Sequence, residues 1–517
     1  MPLTIAVPKE TAREEMRVAL VPEVVDRLIN QHRVQVNIED GCGRGAGFYN
    51  PDYGDVIVGK DYGETVADAD IVLKVNPPSV EEAEQLPLGS VLITQIPAFQ
   101  YADVIRVLLQ RRITTIAMHL LPRITRAQSM DVLSSQATVA GYKAALLAAE
   151  YSPRLFPMLT TAAGTIRPSR VIVLGAGVAG LQAIATCRRL GAQVEAYDIR
   201  QAAREQIESL GARMIDTGVL AENPNGTARG LNKEEKQKQH DVLAERMSHA
   251  HAVICAAAIP GRRAPRIVTE DMVQGMMPDT VLVDMAAETG GNCELTKPGE
   301  IYIYGDTILI GPINLPSRGA VHASEMYARN LFNMLKLVIN DGALRLNWAD
   351  EIVARCLLTH QGNVHHAATA KLMDLPCAPP IVDELEQSEE SSDQAAGWIP
   401  ESEEEHETTD RSDDSFEDVA SATAAVTQEQ AIPEVPASEN EDSATDEPID
   451  RDDFTVIDGI GPALQSKLYE FGYFQYNDLA SLDTDAIETL DGQLELDGHI
   501  ERDDWVGQAA RLLRSKS

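Results

Sequence analysis

Residues 171–180 read VIVLGAGVAG, and the run LQAIATCRRLGA continues from 181 to 192. The aliphatic start makes a buried strand, Gly175-x-Gly177-x-x-Gly180 makes a turn, and the rest has helical spacing. A second strand-like run, QVEAYDI at 193–199, contains Asp198, 18 residues beyond Gly180. A glycine triplet alone carries little information. Strand, glycine turn, helix, strand and acid in this order specify a dinucleotide-binding βαβ unit. Gly175 permits the tight turn, Gly177 lets backbone approach a pyrophosphate, and Gly180 allows the helix to pack closely on the strand. The helix opened by Val178 then offers free N–H groups to the anion. Asp198, followed by Ile199 and Arg200, is expected to accept the adenosine-ribose hydroxyls and to repel a 2′-phosphate. NAD(H) is therefore favoured over NADP(H).

Outward from this unit the same alternation covers residues 1 to about 380. Short apolar runs recur as LTIAVPKE, VQVNIED, DIVLKVN, SVLITQI and TTIAMHL, then RVIVLGAG, QVEAYDI, AVICAAAI, TVLVDMA and IYIYGDT. Runs of four to six residues bounded by turns indicate strands of parallel sheets covered on both faces. With helices between them the class is α/β. Ten strands exceed one comfortable sheet, so two doubly wound, Rossmann-like domains are expected. The first is residues 1–135, completed by about 324–380, and the NAD-binding one is 136–323. The segment AAAIPGRRAP, from the end of its strand, brings Ala257 and Ala258 to the nicotinamide pocket.

The net charge of −36 belongs mostly to the tail. Residues 383–450 hold 24 acids against the single Arg411, and 451–517 hold 14 acids against six bases, which leaves −5 for residues 1–382. The first of these stretches is expected to be a disordered acidic linker, too polar to offset its chain entropy by burial. From Asp452 apolar and aromatic residues return at helical spacing, and DGIGPALQSKL resembles a helix-hairpin-helix. Residues 451–517 therefore form a small all-α unit. Its acidic balance opposes duplex phosphate, so no nucleic-acid partner is expected.

Six cysteines are scattered without a C-x-x-C pair, which fits reduced thiols rather than a disulfide frame or zinc site. His360, His365 and His366 lack a third ligand group nearby, and no metal is expected. No apolar run reaches the ~20 residues of a membrane span. The start MPLTIAVPKE lacks signal-peptide features, so the expected location is cytoplasmic.

Residues 123–136, RITRAQSMDVLSSQ, crowd polar side chains at the threshold of a buried helix. Together with TIAVPKE, RVALVPEVV, TAAGTI, GAGVAGLQAIAT, AAAIPGRRAP and AAETGGNCEL, they resemble the family of alanine dehydrogenases and nicotinamide nucleotide transhydrogenases over residues 1–380. Segment 123–136 is similar to the signature of the NAD(H)-binding alpha subunit of proton-translocating transhydrogenase. That resemblance implies that Arg123, Gln128, Asp131 and Ser134 steer the nicotinamide, with Ser129 and Met130 also at the nucleotide. It implies hydride transfer between NADH here and NADP(H) on a beta subunit, coupled to proton translocation by membrane-spanning partners. The chain would be a homodimer, peripheral on the cytoplasmic face of the inner membrane. The family's mobile-loop Gly-Tyr-Ala reads Gly226-Thr227-Ala here, without the aromatic residue.

Two alternatives compete. An alanine dehydrogenase-like enzyme needs a positioned acid/base. The segment ITQIPAFQ has no His where that branch carries one, and Glu288 stands where it has Asp. Lys74 and Arg17 match both branches. A non-catalytic NAD-sensing scaffold would bind nucleotide and never transfer hydride.

Overall fold

The computed structural model describes residues 2–219, 231–259, 263–379 and 381, with scattered residues between 452 and 516. The acidic stretch 383–450, with its expected disorder, lies outside the described residues, as do Gly226, Thr227 and Pro260. The described residues fall into two compact units, one within Met1–Glu429 and one within Gln430–Ser517.

The larger unit holds two sheets. In the first, the spatial order is Asn363–Val364, Leu357–His360, Thr114–Ala117, Val91–Thr94, Ile71–Leu73, Thr4–Val7, Gln35–Glu39 and Ile57–Gly59. The last six of these pair in parallel, whereas Leu357–His360 joins Thr114–Ala117 antiparallel. Helices cover both faces, as the continuous apolar runs require. The helix Ala320–Val338 returns to this sheet, and its Tyr327, Leu331 and Leu335 pack in one core with Ile5, Val25 and Leu28.

The second sheet runs Arg213–Met214, Gln193–Tyr197, Arg170–Leu174, Ala252–Cys255, Val281–Asp284, Thr307–Ile310 and Ile301–Tyr304. Both sheets are doubly wound α/β layers. The run IYIYGDTILI differs from its sequence reading. It is a hairpin, in which Gly305, at φ 57°, and Asp306 turn the chain. Thr307–Ile310 is the parallel strand, and Ile301–Tyr304 lies antiparallel at the edge. A two-residue Gly-Asp turn between alternating runs is a hairpin signal. A second hairpin, Leu159–Thr161 with Gly164–Ile166, stands apart from both sheets and is exposed throughout.

The helix Val132–Tyr151 ties the two layers together. Ala127, Met130 and Val132 belong to the first sheet's core, and Ala140, Ala144, Ala145 and Ala148 to the second's. In the smaller unit, Tyr476–Ala480 and Trp505–Lys516 are helical, and Phe454, Ile457, Leu468, Leu479 and Trp505 share a core.

Candidate functional site

The strand Arg170–Leu174 ends where the order of the second sheet reverses, between Gln193–Tyr197 and Ala252–Cys255. Ligands of open α/β sheets sit in the crevice at such a point. The three glycines there differ. Gly175 has φ +99°, and a Cβ on it would lie 2.7 Å from the Ala257 nitrogen. A Cβ on Gly180 would lie 1.8 Å from the Gly175 carbonyl oxygen. Gly177 is exposed and has nothing within 4 Å of an added Cβ. It is also the N-cap of the helix Val178–Arg189 and supplies no side-chain acceptor. The helix therefore presents uncapped N–H groups and the positive end of its dipole to open space.

Asp198 closes the turn from the neighbouring strand. Its carboxylate accepts from Ala176 N at 2.8 Å and from Arg200 N at 2.9 Å. The Arg200 guanidinium grips the same carboxylate through Nε at 3.0 Å and Nη2 at 3.1 Å. The acid expected to meet ribose hydroxyls is thus already paired, and Arg200 is the partner that a ribose would share or displace. Ile199 is half-buried beside them.

Ala257 is half-buried and Ala258 exposed at the end of Ala252–Cys255. Asn292 fixes this turn: Ala257 N donates to its Oδ1 at 3.1 Å, and its Nδ2 donates to the Ala257 and Pro265 carbonyls, both at 2.8 Å. Asn292 is held in turn by the fully buried Asp284, which accepts from Asn292 N at 2.8 Å, Cys293 N at 3.0 Å and Ala286 N at 3.0 Å. Burial raises the Asp284 carboxyl, and those backbone donors oppose the rise. Sequence reasoning missed both supports, although Asn292 lies inside the quoted AAETGGNCEL.

The polar segment 123–136 is not one continuous helix. Thr125–Met130 is a 3-10 turn, Asp131 is extended, and the α-helix begins at Val132. Asp131 caps that helix, accepting from Ser134 N at 3.0 Å and Ser134 Oγ at 2.5 Å. Met130 is buried, whereas Arg123, Gln128 and Ser129 are exposed. Among the described residues no side-chain hydrogen bond engages Arg123 or Gln128. Further along, this helix crosses the glycine-turn helix so closely that a Cβ on Gly141 would lie 2.1 Å from the Ala179 carbonyl oxygen. Ten residues separate Asp131 from Gly141, about 15 Å at 1.5 Å per residue. The capped turn and the glycine turn are thus two ends of one rigid ruler.

Two buried cations of the first layer, Arg17 and Lys74, are each paired with a carboxylate. Arg17 donates to both Glu15 oxygens, at 2.8 and 2.6 Å, and to Gln136 Oε1 at 2.8 Å and Asn314 Oδ1 at 3.2 Å. Burial pushes the Glu15 carboxyl up, but hydrogen bonds and charge from Arg17 outweigh it and hold it at about 2. Lys74, 1% exposed, pairs with Glu82 at 3.0 Å. Glu288 accepts from Asn314 N at 3.0 Å. Against the segment ITQIPAFQ lies a histidine that the linear sequence hides. His119 Nδ1 accepts from Ile96 N at 3.4 Å, and burial, aided by His366, lowers the ring to about 4. Among the described residues no group of three His, Cys, Asp or Glu side chains forms a metal site. No described helix is long and apolar enough to cross a membrane.

Residues 6–140 match the family model "Alanine dehydrogenase/PNT, N-terminal domain", and 144–367 match its C-terminal domain. An NAD(P) transhydrogenase subunit alpha chain of Rhodospirillum rubrum is 40% identical over 379 residues, 71% of this chain and 98% of that protein. The chain belongs to the alanine dehydrogenase/PNT family. Within the family, alanine dehydrogenase of Bacillus subtilis is 32% identical over 71% of this chain and 94% of its own. The crystal structure of transhydrogenase from Sinorhizobium meliloti superposes with a TM-score of 0.64 at 41% identity, covering 70% of this chain and 99% of that one. Identity is thus higher on the transhydrogenase side, and this chain is a family member of the transhydrogenase alpha type. Residues 454–513 match a separate model, the RS2/RL21/YNQ2 HHH domain.

Proposed function

We propose that the chain binds NAD(H) across the glycine turn and the 123–134 turn, and passes hydride between it and NADP(H) held by a beta subunit. The nicotinamide supplies the hydride chemistry. The residues of this chain hold and aim it. Gly177 and the uncapped first turn of Val178–Arg189 would take the pyrophosphate, and Asp198 with Arg200 the adenosine ribose. Ala257 and Ala258 would border the ring, while Gln128, Arg123 and the capped Asp131–Ser134 pair orient it. Membrane-spanning partner chains would couple transfer to proton translocation and hold this subunit at the cytoplasmic face. A homodimer fits the exposed Leu159–Ile166 hairpin, because a lone two-stranded ribbon is marginal in water.

One observation carries the reading. The exposed Gln128 and Arg123 enter no side-chain hydrogen bond among the described residues, and neither is a carboxyl or imidazole group. Transfer between two nicotinamides asks for alignment, which is worth several kcal/mol of barrier, and not for an acid/base pair. Amino-acid oxidation asks for the opposite. Arg17 has its Nε–Nη2 edge filled by Glu15 and its Nη1 donating to Gln136, and a histidine near 4 is a poor base at neutral pH. The test is to supply alanine and NAD to the full chain, and separately NADH with the NADP(H)-loaded partner. Transfer to the partner without alanine-dependent NADH formation is expected. NADH formation from alanine would refute the reading, and binding without any transfer would indicate the scaffold.

A further inference from the structure

The Gln128 turn is gripped from outside its own segment. Asn330 Nδ2 donates to the Ser129 carbonyl at 2.8 Å, and Asn333 Nδ2 donates to the same oxygen at 3.1 Å. Asn330 also accepts from Ser135 Oγ at 2.7 Å, so one buried amide spans the break at Asp131. On the other side Arg126 meets Asp350 end-on, Nη1 to Oδ2 at 2.7 Å and Nη2 to Oδ1 at 2.8 Å. Asp350 is itself fixed as the N-cap of the helix Glu351–Cys356, accepting from Ile352 N at 2.8 Å. All three gripping residues come from the stretch of chain that returns to the first sheet, some 200 residues after the turn.

We propose that Asn330, Asn333 and Asp350 are positioning residues for hydride transfer, a clamp that fixes the Thr125–Met130 turn and so the aim of Gln128. The proposal rests on the assignment of Gln128 to the nicotinamide. Three features support positioning over plain stability. The turn needs external support, because a 3-10 turn has poorer hydrogen-bond geometry than an α-helix and stays short. Two amides converge on one carbonyl, that of Ser129, directly after Gln128. An exposed ion pair contributes little to stability, yet a fork-on-fork pair fixes direction as well as distance. A change in the clamp therefore acts mainly on where Gln128 points.

The test compares Asp350→Asn and Asn333→Ala in the full chain, assayed with the NADP(H)-binding partner. Asn keeps the helix cap while losing the ionic fork, so folding is preserved. Both variants should bind NADH within about twofold of the native chain and transfer hydride about five- to tenfold more slowly in a single turnover. If the clamp acts through Gln128, Asp350→Asn added to Gln128→Ala should slow transfer no further than Gln128→Ala alone. A slow Gln128→Ala with full-speed Asp350→Asn and Asn333→Ala overturns the clamp alone. Fully additive losses overturn it too, since they mean that the clamp does not act through Gln128. A Gln128→Ala chain that transfers at the native rate removes the assignment of Gln128 and the clamp with it.

Discussion

Two polar-rich segments flank the junction of the two sheets: residues 10–17 with Lys74, and residues 123–134. In the first, the Arg17 guanidinium makes four hydrogen bonds, to Glu15, Gln136 and Asn314, and Glu15 collects further bonds from Asn76 at 2.8 Å and Ser317 at 3.1 Å. In the second, Asp131 and Ser134 satisfy each other, while Gln128 and Arg123 face outward. Glu10, Glu15, Arg17 and Lys74 of the first segment are buried, where an unpaired charge is costly, so these groups are held by partners within the fold. In the second, Gln128 and Arg123 are exposed, where water can satisfy them. Polarity alone does not distinguish a site from a brace; the state of its hydrogen bonds does.

The sharpest way to break the comparison is Glu15→Gln. It leaves the Arg17 guanidinium buried without its counter-ion, and equilibrium denaturation should show a loss of about 3–5 kcal/mol. The folded-state pKa of Glu15 lies below its ordinary 4.5, at about 2. Its contribution is therefore complete above about 4.5 and is lost as pH falls from there toward 2. Glu10, raised by burial against the pull of Lys74, works in the opposite sense. The difference between native and Glu15→Gln curves isolates the pair, and parallel acid limbs would show that it is not a brace.

The glycine turn carries a smaller contrast of the same kind. Gly180→Ala drives a methyl group into a backbone oxygen, and denaturation should show a loss of about 1–3 kcal/mol. Gly177→Ala enters open space and should leave stability unchanged while weakening NADH binding. Equal effects on stability would mean that Gly177 is no more open than Gly180. Asp198→Ala should cost NADH about 1–3 kcal/mol of binding. It also releases Arg200, so discrimination against NADPH should narrow, and an unchanged NADH/NADPH affinity ratio would sink that pairing. The smallest effect is expected from a chain ending at Val382, which spans both matched family domains, 6–140 and 144–367. It should bind NADH as the full chain does. Lost binding on truncation would mean that the tail completes the site.

The strands were readable because buried parallel strands are short apolar runs, and the glycine turn because its spacing is local. Ile57–Gly59 and Arg213–Met214 were not, being too short to show a period, and the Gly305–Asp306 turn was absorbed into a longer apolar run. The 123–134 side chains were visible as a cluster, but the break at Asp131 was not, since an N-cap looks like any other polar residue. Asn292, Asn330, Asn333, Asp350 and His119 were invisible for one reason. Each acts across 20 residues or more of chain, where no periodicity connects donor to acceptor.

The central claim is that an open turn aims the nicotinamide through the Gln128 amide. It is tested most directly by single-turnover hydride transfer from NADH bound to Gln128→Ala, with the NADP(H)-loaded partner in excess and NADH saturating. The account expects a fall of about tenfold or more at full occupancy, because a misplacement near 1 Å costs about 100-fold. A rate that follows nucleotide occupancy alone would contradict it.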